Sequence, residues 1–298
     1  MSPINILVTA DAGYMVPVRT LLRSLFIHNR AVAFHIYLMH ADIPDALLNP
    51  LASFCSRHGG LLLPVRVPRG LFATAPVRSY YTEAMYYRLL AHHFLPDHVE
   101  RILYLDPDTL VINPVTRLYA TELGPNLFAA ASHSGLTNIV RIVNAIRLGT
   151  RGTKAYFNSG VLLCNVPALR AAASPDAIFE CVAKNRNKLI LPDQDVLNIL
   201  FGDRILLLDE RLFNYDARRY ELYYLASGGT VNMAWVLRNT VILHYCGRAK
   251  PWRDAAGGRF AALYKEYMAD AALPASLARR TSPGKTRAFD LEAGPPGA

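Results

Sequence analysis

Two aspartates two residues apart, Asp106 and Asp108, end an apolar run in RILYLDPDTLVINP (101–114), with Pro107 between them. In an extended chain, side chains two apart point to one side, so the two carboxylates start out on a common face. Pro107 cannot donate to a strand ladder and holds Asp106 extended, so the strand leaves its sheet here. Two adjacent carboxylates in a partly buried place repel unless a cation lies between them, and oxygen-preferring Mg2+ or Mn2+ meets that need. Asp-Pro-Asp is also ordinary turn chemistry. His244 closes a second apolar run, VILHYCG (241–247), and beside two aspartates it completes an O,O,N donor set for a divalent ion. A strand-end histidine on its own is usually structural. Lys250, six residues on, offers an ammonium to phosphate oxygens.

Three weaker signals accompany these. ILVTADAGY (6–14) ends a strand with Asp11 and Gly13 in the turn, where a helix N-cap is the structural reading of Asp11. AYFNSGVLLCNV (155–166) places Asn158 just before a strand, a common turn asparagine. LPDQDVLN (191–198) puts Asp193, Gln194 and Asp195 at a helix start, where acidic residues suit the helix dipole.

Positioning such groups falls to the elements around them. INILVTA (4–10), FHIYLMH (34–40) and LLLPVRV (61–67) are continuous apolar runs and read as buried strands. VPVRTLLRSLFIHN (16–29) and PDALLNPLASFCSRHG (44–59) carry apolar residues at helical spacing, the second closed by Gly59-Gly60. TEAMYYRLLAHHFL (82–95) reads as a helix capped by Thr82 and stopped by Pro96. LFAAASH (127–133) and SGVLLCNV (159–166) read as strands flanking a polar, basic stretch (135–156), and PDQDVLNILFG (192–202) as a helix. The alternation predicts an α/β fold with a mostly parallel central sheet, whose ligand crevice lies at the carboxyl ends of the strands.

Composition narrows the function. Apolar residues make up 52% of the 298 and charged residues 18%, which excludes bulk disorder. The net charge of +9 is uneven: from Arg238 onward there are ten Lys and Arg against five Asp and Glu. Such an end suits anionic lipid, phosphorylated substrate or nucleic acid. No known reading module accompanies it, so no nucleic-acid partner is expected. Cys55, Cys164, Cys181 and Cys246 form no C-x-x-C and read as reduced thiols. The start MSPINILVTAD lacks a basic leader region, and no run of 18 apolar residues occurs. A cytoplasmic protein is therefore expected, at most peripheral at the inner membrane face. No G-x-G-x-x-G or G-K-[ST] loop occurs.

Taken in order, TADAGY, MYYRL, ILYLDPDTLV, YFNSGVLLCNV, LPDQDVLN and HYCGRAKPW span residues 6–252 and resemble glycosyltransferase family 8, above all its bacterial lipopolysaccharide galactosyl- and glucosyltransferases. The resemblance implies the GT-A fold, a Rossmann-like nucleotide-diphospho-sugar transferase fold, over residues 1–247, followed by a small basic extension (248–298) with a loose end. It implies retaining transfer of galactose or glucose from a UDP-sugar to a saccharide or lipid-linked glycan. Asp106, Asp108 and His244 would bind Mn2+, or Mg2+, which holds the diphosphate. Thr9, Asp11 and Tyr14 would hold uridine, and Arg88 and Lys250 would meet the diphosphate or sugar. Asn158, Asp193 and Gln194 would surround the hexose, and Gly247 would let the backbone approach the phosphates. Two positions depart from the family: Gly13 stands where an asparagine is common, and Ser132-His133 where many relatives carry an aspartate.

Two other readings compete. Haloacid-dehalogenase-like Mg2+ phosphatases use a D-x-D pair as nucleophile and acid, here Asp106 and Asp108. They favour Thr or Val where this chain has Leu110, and their motif lies near the N-terminus. A non-enzymatic basic protein at a membrane surface is the second. Trp252, Phe260, Leu263, Tyr264 and Tyr267 mixed with Arg253, Arg259 and Lys265 fit a membrane interface, or equally a helix packing its aromatics onto the domain.

Overall fold

A computed structural model describes residues 2–72, 75, 83–132, 138–150, 155–253 and 258–269. Strands β1 (Ile4–Thr9), β2 (Phe34–His40), β3 (Gly60–Arg66) and β4 (Arg101–Leu105) alternate with helices α1 (Met15–His28), α2 (Asp45–Arg57) and α3 (Tyr87–Phe94). With β6 (Phe128–Ala131), β7 (Val161–Asn165) and β8 (Ile205–Leu208) they form a seven-stranded sheet of order β3-β2-β1-β4-β7-β6-β8. Only the β4–β7 and β7–β6 pairs are antiparallel. The fold is thus the α/β arrangement with a mostly parallel sheet that the rhythm of the sequence predicts.

Burial follows from the two-residue period. Ile4, Ile6 and Val8 of β1 turn toward the core shared with α1 and α2, while Leu7 turns toward α3. The chain runs from β1 outward through β2 to β3, then crosses to the other side of β1 for β4. The strand order reverses between β1 and β4, the place where α/β sheets open a crevice. Thr9 and Asp106 follow at the carboxyl ends of these two neighbours.

A second, three-stranded sheet stands beside the crevice: β5 (Thr109–Val111), β10 (Ile242–His244) and β9 (Tyr215–Asp216), in the order β5-β10-β9. β5 is antiparallel and β9 parallel to β10, and His244 lies between Thr109 on one side and Asp216 on the other. The chain therefore passes from the large sheet to the small one across Asp106-Pro107-Asp108.

Several expectations need revising. β3 is not continuously buried: it is an edge strand, with Leu61 52% exposed and Pro64 inside it, where a missing N–H costs least. The helix expected over 82–95 begins instead as a 3-10 turn (Glu83–Tyr86), and α3 starts at Tyr87. Thr82 lies outside the described residues, as does the C-terminal end expected to be loose. Within the polar stretch 135–156, residues Asn138–Leu148 form a helix for which no expectation was made. The aromatics of the basic C-terminal segment turn inward. Phe260 and Tyr264 are buried, Tyr264 packs against Tyr245 and Trp252, and Tyr267 hydrogen-bonds His28 at 2.6 Å. Packing onto the domain is therefore what these aromatics do. All four cysteines are free, and burial pushes the Cys55 thiol up to about 12. No helix among the described residues is long and apolar enough to cross a membrane.

α3 is locked at its far end. The buried His92 ring and the neighbouring His93 each donate through Nε2 to the Ala173 carbonyl, at 2.8 and 3.0 Å. Burial drives His92 down to about 4, helped by His93 and Arg170 and opposed by the Ala173 carbonyl. An unfolded histidine titrates near 6.5, so the unfolded chain takes up this proton first and stability falls as pH drops from about 6.5 to about 4. Between pH 7 and pH 4.5 this group is expected to remove about 2–3 kcal/mol. Urea unfolding of the wild type and of His92→Gln at both pH values measures it; the variant should lose that much less on acidification.

Candidate functional site

The two aspartates are brought together by a turn, not by strand alternation. The Asp106 carbonyl accepts from the Thr109 N–H at 3.0 Å and from the Thr109 hydroxyl at 2.7 Å, closing a β-turn with Pro107 at its second position. Pro107's fixed φ suits that position, which is why the sequence turns here. The turn is tied on both sides: Asp106 N–H donates to the Gly160 carbonyl, and the Tyr245 N–H donates to the Asp108 carbonyl.

Each carboxylate has one oxygen consumed by protein. Asp106 Oδ1 accepts from Tyr104 OH at 2.5 Å and pairs with Arg88 at 2.7 Å. Asp108 Oδ2 pairs with Lys250, whose ammonium also donates to the Tyr245 carbonyl at 2.9 Å. The remaining oxygens face His244 Nε2, Asp108 Oδ1 at 3.3 Å and Asp106 Oδ2 at 3.9 Å. Ligand atoms from the three residues all lie within 4.8 Å of one another, a hard O,O,N set that fits a divalent cation. Burial opposes ionising Asp108, yet Lys250 and then His244 outweigh it and hold its carboxyl well below the usual range. Burial also opposes charging His244, but Cys246 and Asp108 reverse that and raise its pKa.

A chain of amides orients the histidine. The Gly160 N–H can only donate, and it donates to Asn158 Oδ1 at 2.9 Å. That fixes Asn158 Oδ1 as acceptor, so Asn214 Nδ2 donates to it at 2.8 Å and Asn158 Nδ2 donates to Gln194 Oε1 at 3.0 Å. Asn214 Oδ1 is then the acceptor facing His244 Nδ1 at 2.9 Å. His244 therefore carries a proton on Nδ1 and turns Nε2 toward the carboxylates. Gly160 matters twice, because a Cβ there would lie 2.3 Å from His244 Cε1 and 2.7 Å from Asp106 Oδ2.

The other expected residues line the same cavity, about 780 Å³ in volume. Arg88 is buried, with every nitrogen held: Nε by the Met85 carbonyl, one terminal nitrogen by the Ser159 carbonyl and the other by Asp106. Its guanidinium lies 4.4 Å over the Tyr104 ring, and Asp193 approaches Nε at 3.4 Å. Asp193 also accepts from Ser159 at 2.8 Å; burial raises its pKa although Arg88 opposes that. Asp195 faces away, held by Arg147 and Tyr156 and capping the N–H groups of Ile190 and Leu191. Asp11 accepts from the Gly13 N–H at 2.8 Å, so its capping role stands beside its place in the cavity wall. Thr9 reaches Tyr104 OH at 3.2 Å, and Tyr14 meets Trp252 edge-on at 6.0 Å. Gly247 sits at φ +86°, where an L side chain is strained. His133 lies outside the described residues.

Sequence reading missed Tyr104, Ser159, Gly160, Asn214 and Asp216. Tyr104 and Gly160 stand inside the strings it singled out. Asn214 and Asp216 lie in FNYDARRY (213–220), which no spacing rule connects to His244.

Comparison with known proteins adds the context. The Glycosyl transferase family 8 model matches residues 5–256. Glycosyltransferase GlyF of Streptococcus pneumoniae serotype 4 is 26% identical over 264 residues, which is 88% of this chain and 61% of GlyF, so this chain spans well under the whole of that relative. Lipopolysaccharide 1,2-glucosyltransferase of Escherichia coli strain K12 is 24% identical over 258 residues, 85% of this chain and 74% of that one. The solved galactosyltransferase LgtC, in complex with donor and acceptor sugar analogues, superposes with a TM-score of 0.79 at 24% identity, covering 94% of this chain and 100% of that one.

The amide chain makes two outcomes measurable by Mn2+ titration without any nucleotide. Gly160→Ala should push His244 and Asp106 apart, weakening Mn2+ and costing about 1–3 kcal/mol of stability. Asn214→Leu should weaken Mn2+ by about 10–100-fold, whereas Asn214→Asp, which still accepts from Nδ1 but no longer donates to Asn158, should weaken it less. Equal affinities for the two Asn214 variants would remove the orienting role.

Proposed function

The chain belongs to glycosyltransferase family 8, and on that premise we propose that it transfers galactose or glucose from a UDP-sugar to a saccharide or lipid-linked glycan of the lipopolysaccharide type, with retention of configuration. The observation that carries this reading is the convergence of Asp106 Oδ2, Asp108 Oδ1 and His244 Nε2 at the mouth of the β1/β4 crevice. A divalent ion held by these three, Mn2+ in this reading and Mg2+ as the alternative, would act as a Lewis acid for the leaving diphosphate. A metal bound at His244 Nε2 needs that nitrogen without a proton, so uptake competes with protons and weakens as the pH falls.

The protein's own groups do the rest. Thr9, Asp11 and Tyr14 stand at the end of β1 and hold the uridine. Lys250, the ammonium nearest the carboxylates, is shared with the diphosphate oxygens as their charge grows. Gly247, with no side chain, lets the backbone approach the phosphates. Asn158, Asp193 and Gln194 surround the hexose, and Arg88 acts on the site by fixing Asp106 and Asp193. Retention by double displacement needs a carboxylate nucleophile beneath C1. Gln194 is a carboxamide, and Asp193 is occupied by Ser159 and Arg88. Same-face attack by the acceptor hydroxyl, with a leaving phosphate oxygen taking its proton, therefore fits these residues better. The phosphatase reading leaves His244 and the amides behind it without a task. In this reading residues 1–247 form the catalytic domain, 248–298 a basic extension, and the enzyme works in the cytoplasm, peripheral to the inner membrane face.

Release of UDP from a panel of UDP-sugars, with Mn2+ and again with EDTA, tests the reading. One hexose donor should turn over slowly with water as acceptor, and EDTA should stop it. Asp108→Ala and His244→Ala should each cut the rate by roughly 100-fold or more. If no UDP-sugar binds or turns over with Mn2+ present, the transferase reading fails.

A further inference from the structure

Four arginines line the same cavity as the donor-side residues: Arg218, Arg219, Arg248 and Arg253. The two phosphates of a UDP-sugar already have Asp106, Asp108 and His244 through a cation, with Lys250 beside Asp108. The arginines come from elsewhere. Arg218 and Arg219 follow β9, and the register of the small sheet sets Asp216 beside His244 on the side away from Thr109. Lys250 pairs with Asp108, just before β5, so the two cationic groups flank His244 from opposite sides of the small sheet.

Arg218 is built for recognition of an anion. Asp216, fully buried, accepts from Arg218 Nε at 2.9 Å and from one terminal nitrogen at 2.7 Å, and also from the Arg218 N–H at 3.0 Å. Arg219 Nε approaches the same carboxylate at 3.4 Å. A carboxylate with no exposed surface is costly to bury for a surface ion pair of small worth. What it does here is fix the plane of a guanidinium whose side chain is 52% exposed. The other terminal nitrogen of Arg218 is turned to Gly247, where a Cβ would come within 2.6 Å of it. Gly247 thus leaves space for that edge of the guanidinium beside the donor's phosphate end. Two guanidiniums on one carboxylate leave a net positive wall, and Arg248 and Arg253 extend it.

We propose that the acceptor is anionic, carrying a phosphate group on or next to the sugar that supplies the attacking hydroxyl, and that Arg218, with Arg219, Arg248 and Arg253, seats that phosphate. The inference rests on the transferase reading and names the acceptor class for it. A planar guanidinium held by its Nε side recognises phosphate oxygens through its remaining N–H groups. The phosphate has two sources with one chemistry, a phosphorylated saccharide or the headgroup of a lipid-linked acceptor.

The experiment fills the donor side first. The full chain is saturated with UDP and Mn2+, and glucose, glucose 6-phosphate or methyl phosphate is titrated calorimetrically; phosphatidylcholine vesicles with and without phosphatidylglycerol form a parallel arm. Glucose 6-phosphate should bind more tightly than glucose. Arg218→Gln should weaken it roughly tenfold or more, and Arg218→Lys, which keeps charge but not the fork, by less. Arg253→Gln, at an exposed position, should weaken it more modestly and reduce its salt dependence. Arg218-dependent binding to phosphatidylglycerol vesicles without a response to glucose 6-phosphate assigns the phosphate to a lipid headgroup. If UDP binds but phosphate binds no better than glucose and vesicles show no Arg218 dependence, the anionic acceptor is overturned while the donor reading stands. If UDP itself does not bind with Mn2+, both fall.

Discussion

Two carboxylates forced into one tight turn repel, and the rest of the site is arranged around that repulsion. A β-turn with Pro107 at its second position leaves Asp106 and Asp108 no room to separate. The protein relieves the repulsion mostly from outside: Tyr104 and Arg88 take one oxygen of Asp106, and Lys250 takes one oxygen of Asp108, while on the inner side only His244 faces the pair. The two inner oxygens are left facing one imidazole nitrogen. The arginine and lysine each sit on the far side of a carboxylate, and the inner side is left to one imidazole. A divalent ion between them would meet an electrostatic need that the surrounding residues leave unmet.

Hydrogen-bond direction supplies what charge alone cannot. Charge would draw His244 toward the aspartates in either tautomer, but only one tautomer offers Nε2 as a ligand. The choice is made two amides along the hydrogen-bond chain from His244, by a backbone N–H that has no alternative to donating. From Gly160 the direction passes through Asn158 and Asn214 to His244 Nδ1. The same Asn158 also donates to Gln194, so the metal side and the hexose side of the proposed reaction share one oriented amide. Gly160 lets the strand pass close enough for this, which ties its lack of a side chain to the geometry of both halves.

How much of this could be read from the sequence depends on how local each signal is. β1, β2, α1 and α2 repeat one periodicity over many residues, and their order yields the sheet. Asp106, Asp108 and His244 were legible only together: each alone fits a turn or a structural strand end, and their combination into one donor set, in order with the other family strings, is what pointed to a metal. The means of bringing the aspartates together was not legible, because a two-residue spacing fits both an extended strand and a turn, and only the Thr109 contacts decide. Asn214 escaped for another reason: a buried polar residue looks like a loop residue until a partner 30 residues away is placed against it. The C-terminal aromatics were ambiguous because a membrane interface and a packed helix face use the same amphipathic pattern. What decides is whether the domain offers a complementary surface, and α1, Tyr245 and Tyr14 provide it.

The small sheet would bring the proposed metal set and the proposed arginine wall into one device. Its three strands carry, in lateral order, the Asp108 turn, His244 and Asp216. Neighbouring strands lie about 4.8 Å apart, so adjacent positions on such a ribbon present groups at the spacing of linked anionic substituents. A charge held at β5 and another at β9 are then separated by the strand that bears His244. In the proposed reaction the donor diphosphate and the acceptor phosphate would both approach this ribbon, and like charges brought together need separate cations to do so. Lys250 on one flank and Arg218 on the other, each fixed by its own aspartate, meet that requirement without a single mobile side chain having to serve both.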